Sequence, residues 1–470
     1  MGAGAAGAAA VSGMDAKGGE SMTERASKLA HMPMGRLVAR ISLPLMLSML
    51  VQALYNIVDG IYLSRIGEGA LAATGIAFPA QILMIAVAVG TGVGVNALLS
   101  RRLGEGREDQ VRAVAVHGLI LAIVSSGLFV VFGFVGVDAF IAPFTNDAQI
   151  AHMGAEYLRI CLIFSQGIFI AIMAERFLQA TGNTLLSMLA QLLGAVVNIV
   201  LDPILIFGWF GLPAMGVRGA AIATVVGQYS AAALALLLNY LKNPDVQISL
   251  RRFRLNFSVI RGIYRVGLPT MVVQTTSSLM LVSMNRLLAG STAAVALFGV
   301  YYKLQSFVYM PVSGLAQGLI PIIGYNAGAR QGRRVVSAYK IAILAGAAIM
   351  AVGTILFTVF PREILHLFRA EGEMLRLGVP ALRIIGVTFI PMSLTVVSGF
   401  ACAGLGNGML NMLGALLRQL VLLIPTAYLL MHTLGIESIW YAFWIAELGA
   451  AAASALLVRR EYLRKVRPIL

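Results

Sequence analysis

The chain has 470 residues, of which 59% are hydrophobic and 12% are charged, and its mean hydropathy is +0.87. Because soluble globular domains carry about a quarter charged residues, this composition excludes an ordinary water-soluble fold and indicates that lipid is the main solvent. The formal net charge of +15 does not indicate a nucleic-acid partner, because the basic residues lie in short segments between apolar runs.

The fold class follows from these apolar runs. A chain in lipid must satisfy its backbone polar groups internally, which leaves helices or closed barrels. The runs are long and unbroken rather than alternating with a period of two, so they predict an all-α membrane protein. The two cysteines, Cys161 and Cys402, each lie inside an apolar run, which argues against a disulfide framework or a metal cluster.

The chain begins with residues 1–35, which are rich in alanine and glycine and then turn polar. We predict a disordered cytoplasmic tail there, because the segment is too weakly hydrophobic for the core of a signal peptide. About twelve apolar segments of membrane-spanning length follow. They lie at about 38–63, 72–99, 113–136, 154–180, 185–207, 218–241, 263–288, 296–323, 337–360, 377–402, 409–432 and 438–457.

Lysine and arginine are distributed unevenly among the loops. Those after even-numbered segments hold Arg101, Arg102, Arg107, Arg112, Lys242, Arg251, Arg252, Arg254, Arg261, Arg265, Arg330, Arg333, Arg334, Lys340, Arg459, Arg460, Arg464, Lys465 and Arg467. The loops after odd-numbered segments are much poorer in basic residues. Because cytoplasmic loops carry the excess of positive charge, we expect both termini in the cytoplasm.

The two sides of the chain resemble each other at a shift of 224–225 residues, which indicates an internal duplication. The corresponding positions are Pro44 with Pro269, Gly104 with Gly328, and Gly182 with Gly406. We therefore predict an N-terminal six-helix lobe at 36–241, a basic cytoplasmic linker at 242–262, a C-terminal six-helix lobe at 263–458 and a basic cytoplasmic tail at 459–470. Two bundles of this kind would face each other across a central cavity.

Acidic residues inside membrane spans are costly, so each needs a partner or a function. Asp59 ends a polar stripe of the first span, in which Ser48, Gln52, Asn56 and Asp59 share one helix face. The alternative is that these side chains only hold helices together by hydrogen bonds, although a carboxylate is an expensive choice for that purpose.

Asp202 is the second such carboxylate, and Asn198 lies one turn before it on the same face. Counting residues from the ends of the spans places Asp59, Asp202 and Thr224 at similar depth. Two carboxylates, an amide and a hydroxyl offer hard oxygen ligands, so we predict a coupling-ion site for H⁺ or Na⁺. Any bound metal would be Na⁺ at Asp59 and Asp202.

Further polar and adaptable side chains are candidates for a substrate pathway. They are Gln52, Asn56, Gln81, Met173, Gln274, Ser277 and Glu447. Glu447 and Arg418 lie at similar depth in the last two spans, and two interpretations remain open: a structural ion pair, or a carboxylate that binds substrate. The chain has no phosphate-binding loop, which argues against an ATP-driven pump, and no histidine-rich metal motif. We expect no cofactor other than the coupling ion, and we expect the energy to come from an ion gradient or from the substrate's own gradient.

Several segments resemble those of a known family. They are PLMLSMLVQALYNIVDGIYLSRIGEGALAATGIAFP, SRRLGEGRED, LQATGN, NIVLDPILIF and GVRGAAIAT. They look like the corresponding segments of the multidrug and toxic compound extrusion (MATE) transporters, particularly the MepA-like bacterial branch. The resemblance runs from about residue 36 to 458 and is more specific in the first half of the chain.

The resemblance implies two six-helix lobes that form a V in the bacterial cytoplasmic (inner) membrane. It implies an antiporter, not an enzyme, that exports organic cations, drugs or amphipathic metabolites in exchange for H⁺ or Na⁺. The family's acidic and polar positions match Asp59, Asn198, Asp202 and Thr224. Some members carry a glutamate in the seventh span where this chain has Ser277, so we expect ion coupling in the N-terminal lobe.

A second function remains open at this point. Related two-bundle transporters move lipid-linked sugars or polar metabolites, and a flippase of that kind needs basic residues along its cavity to hold a diphosphate. Arg418 is among few candidates in this sequence. We expect the partners to be a small molecule and the bilayer, with no nucleic acid, and we expect a monomer.

Overall fold

The computed structural model describes residues 29–246, 248, 254–368 and 370–470. All regular secondary structure in these residues is helical, which confirms the predicted all-α class. The N-terminal half contains α1 (Met34–Ile66), α2 (Glu68–Gly104), α3 (Glu108–Val135), α4 (Val137–Ile141), α5 (Ala148–Ile163), α6 (Gln166–Ala180), α7 (Thr184–Phe207) and α8 (Gly216–Lys242).

The C-terminal half repeats this order. It contains α9 (Phe257–Leu288), α10 (Thr292–Gly328), α11 (Gly332–Val359), α12 (Pro361–Leu367), α13 (Gly372–Gly386), α14 (Phe389–Gly404), α15 (Gly408–Leu416), α16 (Ile424–Leu434) and α17 (Tyr441–Glu461). A π-helical segment, Leu417–Leu423, joins α15 to α16 into one continuous span.

The fourth span of each half is broken in the middle. Helices α5 and α6 meet at 46°, and helices α13 and α14 meet at 49°. At the second break the carbonyl of Ile385 accepts from the hydroxyl of Thr388 at 2.7 Å and from the backbone N–H of Thr388 at 2.9 Å. Among the described residues ten single helices can cross a membrane, and the two bent pairs raise the number to twelve, as predicted.

Three predicted boundaries differ from the structure. Residues 1–28 lie outside the described residues, but Leu29 is buried and its carbonyl accepts from Arg334 Nη2 at 3.0 Å, so the predicted disorder is wrong for residues 29–35. Helix α9 begins at Phe257, inside the predicted linker. The predicted C-terminal tail is helical up to Ile469, and Glu461 within it accepts from Asn407 Nδ2 at 2.9 Å.

The two halves pack through a pair of symmetric helix crossings, α2 on α9 and α10 on α1. Gly90 and Gly94 allow α2 to approach the backbone of α9, because a Cβ at either position would overlap a carbonyl of that helix. Gly314 and Gly318 have the same role where α10 meets α1. Gly90 and Gly314 are 224 residues apart, as are Gly94 and Gly318, so equivalent glycines of the two halves permit close helix packing.

The contacts between α1 and α10 come from the first half of α1, where Ser42 donates to the Leu315 carbonyl at 3.3 Å. Further along α1 the side chains of Gln52, Leu54 and Asn56 are exposed. The halves therefore pack together at the end that bears the basic loops and part toward the other end, as the two arms of a V.

Candidate functional site

The predicted coupling-ion residues lie on α7 and α8, which pack closely against each other. The buried face of α7 includes Asn198 and Asp202 at a spacing of four residues. Gly194 and Gly227 lie directly opposite each other, since a Cβ on either would lie within 3.0 Å of the other's carbonyl oxygen. This close approach brings Thr224 of α8 beside Asn198 of α7.

The amide of Asn198 links Asp202 and Thr224 in both of its orientations. In one, Nδ2 lies 3.5 Å from Asp202 Oδ1 and 3.4 Å from Thr224 Oγ1. With the amide turned over, Nδ2 donates to Asp202 Oδ2 at 3.2 Å and the oxygen accepts from the Thr224 backbone N–H at 3.1 Å. The second orientation satisfies both ends of the amide, and Asp202 itself is 0% exposed.

Asp59 completes this group from α1. It lies within electrostatic range of Asp202, and its Oδ1 is buried without a hydrogen-bond partner in the described part of the chain. Neither carboxylate forms an ion pair with any residue that the structure describes. The four predicted residues thus meet in one place, and two carboxylates with no neighbouring cation leave room for a bound positive charge.

The donor set fits a hard monovalent cation or a proton. Carboxylate, amide and hydroxyl oxygens are the ligands that Na⁺ and similar hard ions take, and a carboxylate alone accepts a proton. Within the described ranges no three His, Cys, Asp or Glu side chains lie close enough to hold a metal ion together. We call Asp59, Asn198, Asp202 and Thr224 the N-half polar cluster.

A tyrosine that was not predicted from the sequence lies beside the N-half polar cluster. The hydroxyl of Tyr55 reaches Thr224, and Tyr55 interacts electrostatically with Asp59 and Asp202. Its position one turn before Asp59 was the available signal, because residues four apart share a helix face. Tyrosine is common in membrane spans, so this spacing alone did not single it out.

Gln81 lies in a second polar layer beside the N-half polar cluster. Its Nε2 donates to Cys161 Sγ at 3.3 Å, and Tyr157 contacts both residues. Tyr157 and Cys161 lie within electrostatic range of Asp59, which connects the two layers. Tyr157 was not predicted, although its spacing of four residues from Cys161 places both on one face of α5.

Three other predicted residues lie outside the N-half polar cluster. Gln52 and Asn56 are exposed on the part of α1 where the two halves separate. Met173 is 1% exposed in the apolar core of the N-terminal half, where its sulfur packs against Gly118 of α3. In this conformation Met173 is therefore part of the packed core, and its role in a substrate pathway stays a prediction.

The remaining candidates meet in the C-terminal half. Gln274, Ser277 and Glu447 line a cavity of about 140 Å³, together with Arg418 and Gln419 of the π-helical segment. We call it the C-half cavity. Arg418 Nη1 donates to Glu447 Oε1 at 3.2 Å, so the two residues form the ion pair that the sequence allowed.

A buried contact between the two halves, close to the crossing of α10 with α1, was not foreseen from the sequence. Arg176 of α6 is buried and donates from Nη1 to Gln317 Oε1 of α10 at 3.0 Å. The same nitrogen also donates to Gln179 Oε1 at 2.6 Å, which fixes the guanidinium. A buried arginine in a membrane span needs such acceptors, and here one comes from the opposite half.

A family model described as MatE matches residues 44–204 and 268–429, which together make up more than half of the chain. The chain belongs to the MatE family. The two matched ranges begin 224 residues apart, so the model of this family fits each half of the duplication separately. MatE proteins are membrane transporters and not enzymes, and this MatE chain is accordingly a multi-pass membrane transporter.

Similar proteins cover nearly the whole MatE chain. The FAD transporter of Shewanella oneidensis is 25% identical over 92% of this chain and 96% of its own length. The multidrug export protein MepA of Staphylococcus aureus is also 25% identical, over 91% of this chain and 94% of its own.

Solved structures show the same fold. A MOP superfamily transporter from Pyrococcus furiosus has a TM-score of 0.88 and 27% identity, covering 96% of this chain and 99% of the other. A MATE structure in the bent conformation has the same TM-score and identity, and covers 96% of this chain and 100% of the other.

Proposed function

We propose that this MatE protein is a secondary active antiporter. It exports organic cations, drugs or amphipathic metabolites in exchange for H⁺ or Na⁺, by alternating access between its two halves. The observation that carries the proposal is the N-half polar cluster, in which Asp202 is fully buried and neither it nor Asp59 has a cationic partner among the described residues. Uncompensated carboxylates inside a membrane mark ion pathways.

The ion would act through the charge of the N-half polar cluster. When both carboxylates are ionised, they repel each other in a medium of low dielectric constant, and a bound H⁺ or Na⁺ removes this cost. The two loading states therefore favour different arrangements of α1 against α7 and α8. Pro203 follows Asp202 directly inside α7, and a proline leaves backbone groups of the preceding turn free to rearrange. Ion loading can thus bias a two-state conformational equilibrium.

The packing of the two halves supports alternating access. They pack through glycine-lined crossings at one end and part at the other, so a cargo can enter between them from one side only. Bent and straight conformations are named for solved MATE structures of the same fold. The basic loops support a cytoplasmic location for both termini in an inner membrane, which makes the open end external.

A second candidate is the export of polar metabolites, or the flipping of lipid-linked ones. The observation that favours it is the similarity to a protein named FAD transporter. Such cargo carries phosphate groups, which require paired basic side chains in the cavity. The C-half cavity contains Arg418, whose charge is already paired with Glu447, so we place this candidate second.

Transport in proteoliposomes tests the proposal. The purified protein is reconstituted, and the movement of a fluorescent organic cation is followed after a proton gradient or a sodium gradient is imposed, without ATP. We expect movement of the cation against the direction of the driving ion, and its loss when the active gradient is dissipated. Flavin dinucleotide transport in place of cation transport would support the second candidate. Cation movement at the same rate with and without the proton and sodium gradients would refute antiport.

A further inference from the structure

The C-half cavity is built from polar groups that its own walls leave unsatisfied. Gln419 is 4% exposed and Glu447 is 6% exposed. Gln419 Oε1 and Glu447 Oε2 are each buried and have no hydrogen-bond partner among the described residues. Buried acceptors without a donor cost free energy, and protein interiors contain few of them. Two such oxygens on residues of one cavity wall indicate a ligand with hydrogen-bond donors.

The second polar atom of each of these side chains already forms a hydrogen bond. Gln419 Nε2 donates to Ser277 Oγ at 3.3 Å, and in this orientation Oε1 is the end of the amide without a partner. Glu447 Oε1 accepts from Arg418 Nη1 at 3.2 Å. Arg418 commits one nitrogen to this bond, and a guanidinium carries five N–H donors. The cavity thus offers acceptors on Gln419 and Glu447 and donors on Arg418.

The backbone places these groups together. Arg418 and Gln419 both lie on the π-helical segment Leu417–Leu423, which interrupts an otherwise α-helical span. Because π-helical turns have more residues than α-helical turns, successive side chains diverge less around the axis, and both can face one cavity. Single π-helical turns are rare in proteins as a whole, but those that occur often lie at functional sites.

The charge of the cavity selects the ligand. Arg418 and Glu447 neutralise each other, so the charged groups of this cavity sum to zero. An ion entering such a site in a low-dielectric medium has no counterion, whereas a neutral molecule has no such penalty. Tyr302, Tyr309 and Phe443 add aromatic surface to the same wall, which suits a flat ring.

We propose that the C-half cavity binds a neutral, planar ring that carries an amide edge, with an N–H donor beside a carbonyl acceptor. The ligand's N–H groups bond Gln419 Oε1 and Glu447 Oε2, and its carbonyl accepts from Arg418. The inference deepens the proposed function, on which it rests for the ligand being transported cargo, and it names a binding site separate from the N-half polar cluster.

Three one-ring probes test the proposal by equilibrium binding to the purified full-length protein, measured by calorimetry. Benzamide is neutral and has both donors and an acceptor, N,N-dimethylbenzamide lacks the donors, and benzamidine is a cation at neutral pH. We expect benzamide to bind about tenfold or more tightly than either of the others, which corresponds to about 1.4 kcal/mol. Equal affinities, tightest binding of benzamidine, or no binding of benzamide would overturn the proposal.

A variant identifies the site. Gln419→Met keeps the length of the side chain and removes its acceptor, so we expect benzamide affinity to fall about tenfold while N,N-dimethylbenzamide affinity stays unchanged. Gln149→Met makes the same change at an exposed position of α5 and is the matched control. A thermal unfolding scan of each variant checks its fold. An equal loss of affinity for benzamide and N,N-dimethylbenzamide would refute the contact assigned to Gln419 Oε1.

Binding at equilibrium requires no ion gradient, so this experiment separates the two proposals. Selective benzamide binding without gradient-driven transport in the proteoliposome assay would overturn the antiporter and leave the cavity assignment standing. Gradient-driven transport without selective binding would overturn the cavity assignment alone.

Discussion

Gly104 and Gly328 are equivalent residues of the two halves, and each lies against the backbone of the opposite half. A Cβ on Gly104 would overlap the carbonyl of Tyr325, and a Cβ on Gly328 would overlap the carbonyl of Arg101. Tyr325 and Arg101 are themselves 224 positions apart, so the contact is reciprocal. The ends of α2 and α10 therefore close the packed end of the V by main-chain contact, which only glycine permits.

We expect Gly104→Ala to weaken this closure. The added methyl group meets backbone rather than a flexible side chain, so the helices must move apart at a cost of about 1–3 kcal/mol. Thermal unfolding of the purified protein measures the effect. Gly60→Ala is the matched control, because Gly60 is helical and has nothing within 4 Å of its Cβ position. An unfolding temperature for Gly104→Ala as high as that of the control would contradict the contact.

The fold could be predicted almost entirely from the sequence, because composition, apolar length and duplication act on long stretches of chain. The N-half polar cluster was also accessible, since depth in a membrane can be counted along a helix from its charged end. The packing of Met173 into the apolar core was not accessible, because its residue type does not encode which neighbours its helix face meets. The link between Arg176 and Gln317 depends on how two halves dock, which no periodicity within either half encodes.

That link is expected to stabilise the docked halves. Gln317→Met removes one of the two acceptors of the buried Arg176 guanidinium while keeping the side-chain length, and we expect a loss of about 1.5–3 kcal/mol, as for hydrogen bonds to charged groups. A double-mutant cycle with Arg176→Met isolates the pair, and a coupling energy above about 0.5 kcal/mol is the expected result. Strictly additive effects on unfolding would show that the two side chains act independently.

Glu105 follows α2 at the packed end and is expected to make stability depend on pH. Burial by itself raises the pKa of Glu105, but hydrogen bonds and charges from Arg102 and Arg101 outweigh burial and hold this pKa below its ordinary value of 4.5. Because the folded-state pKa is the lower one, the stabilisation is complete above pH 4.5 and is lost as the pH falls through the folded-state pKa.

We therefore expect Glu105→Gln to lower stability by about 0.5–1.5 kcal/mol at pH 7 and to match the wild type in acid. Unfolding temperatures of both proteins between pH 3 and 7 test this. Glu437→Gln removes an ion pair that is more than half exposed, and serves as the control with little effect at any pH. A difference between Glu105→Gln and wild type that persists unchanged into acid would argue against the charge as its cause.

Membrane orientation is open to a direct test with reporter fusions. The excess of basic residues in alternate loops predicts that a reporter at Leu470 is cytoplasmic and that one inserted near Thr145 is external. A fusion after Leu250, which lies outside the described residues, should also be cytoplasmic. An external signal at Leu470 together with a cytoplasmic one at Thr145 would invert the topology and with it the direction in which the V opens.

If the N-half polar cluster couples ion movement to export, removing the charge of either aspartate should abolish export. Asp202→Asn keeps the shape of the side chain and part of its hydrogen bonding to Asn198, but it can neither take up a proton nor neutralise a cation. We expect folding and insertion to persist and gradient-driven export to fall to background, because the cluster is held permanently in a state like the ion-loaded one. Asp59→Asn should have the same effect, since Asp59 is the second carboxylate beside Asp202.

If the two aspartates share one ion, the double variant should be no worse than either single variant, which is the non-additivity of groups that act as a unit. Asp138→Asn is the matched control, because this aspartate is 78% exposed and its ion pair with Arg159 lies at the surface. Efflux of a fluorescent cation from cells with matched expression provides the measurement. Rates near wild type in both single variants would make the two aspartates structural, and would place ion coupling elsewhere in the protein.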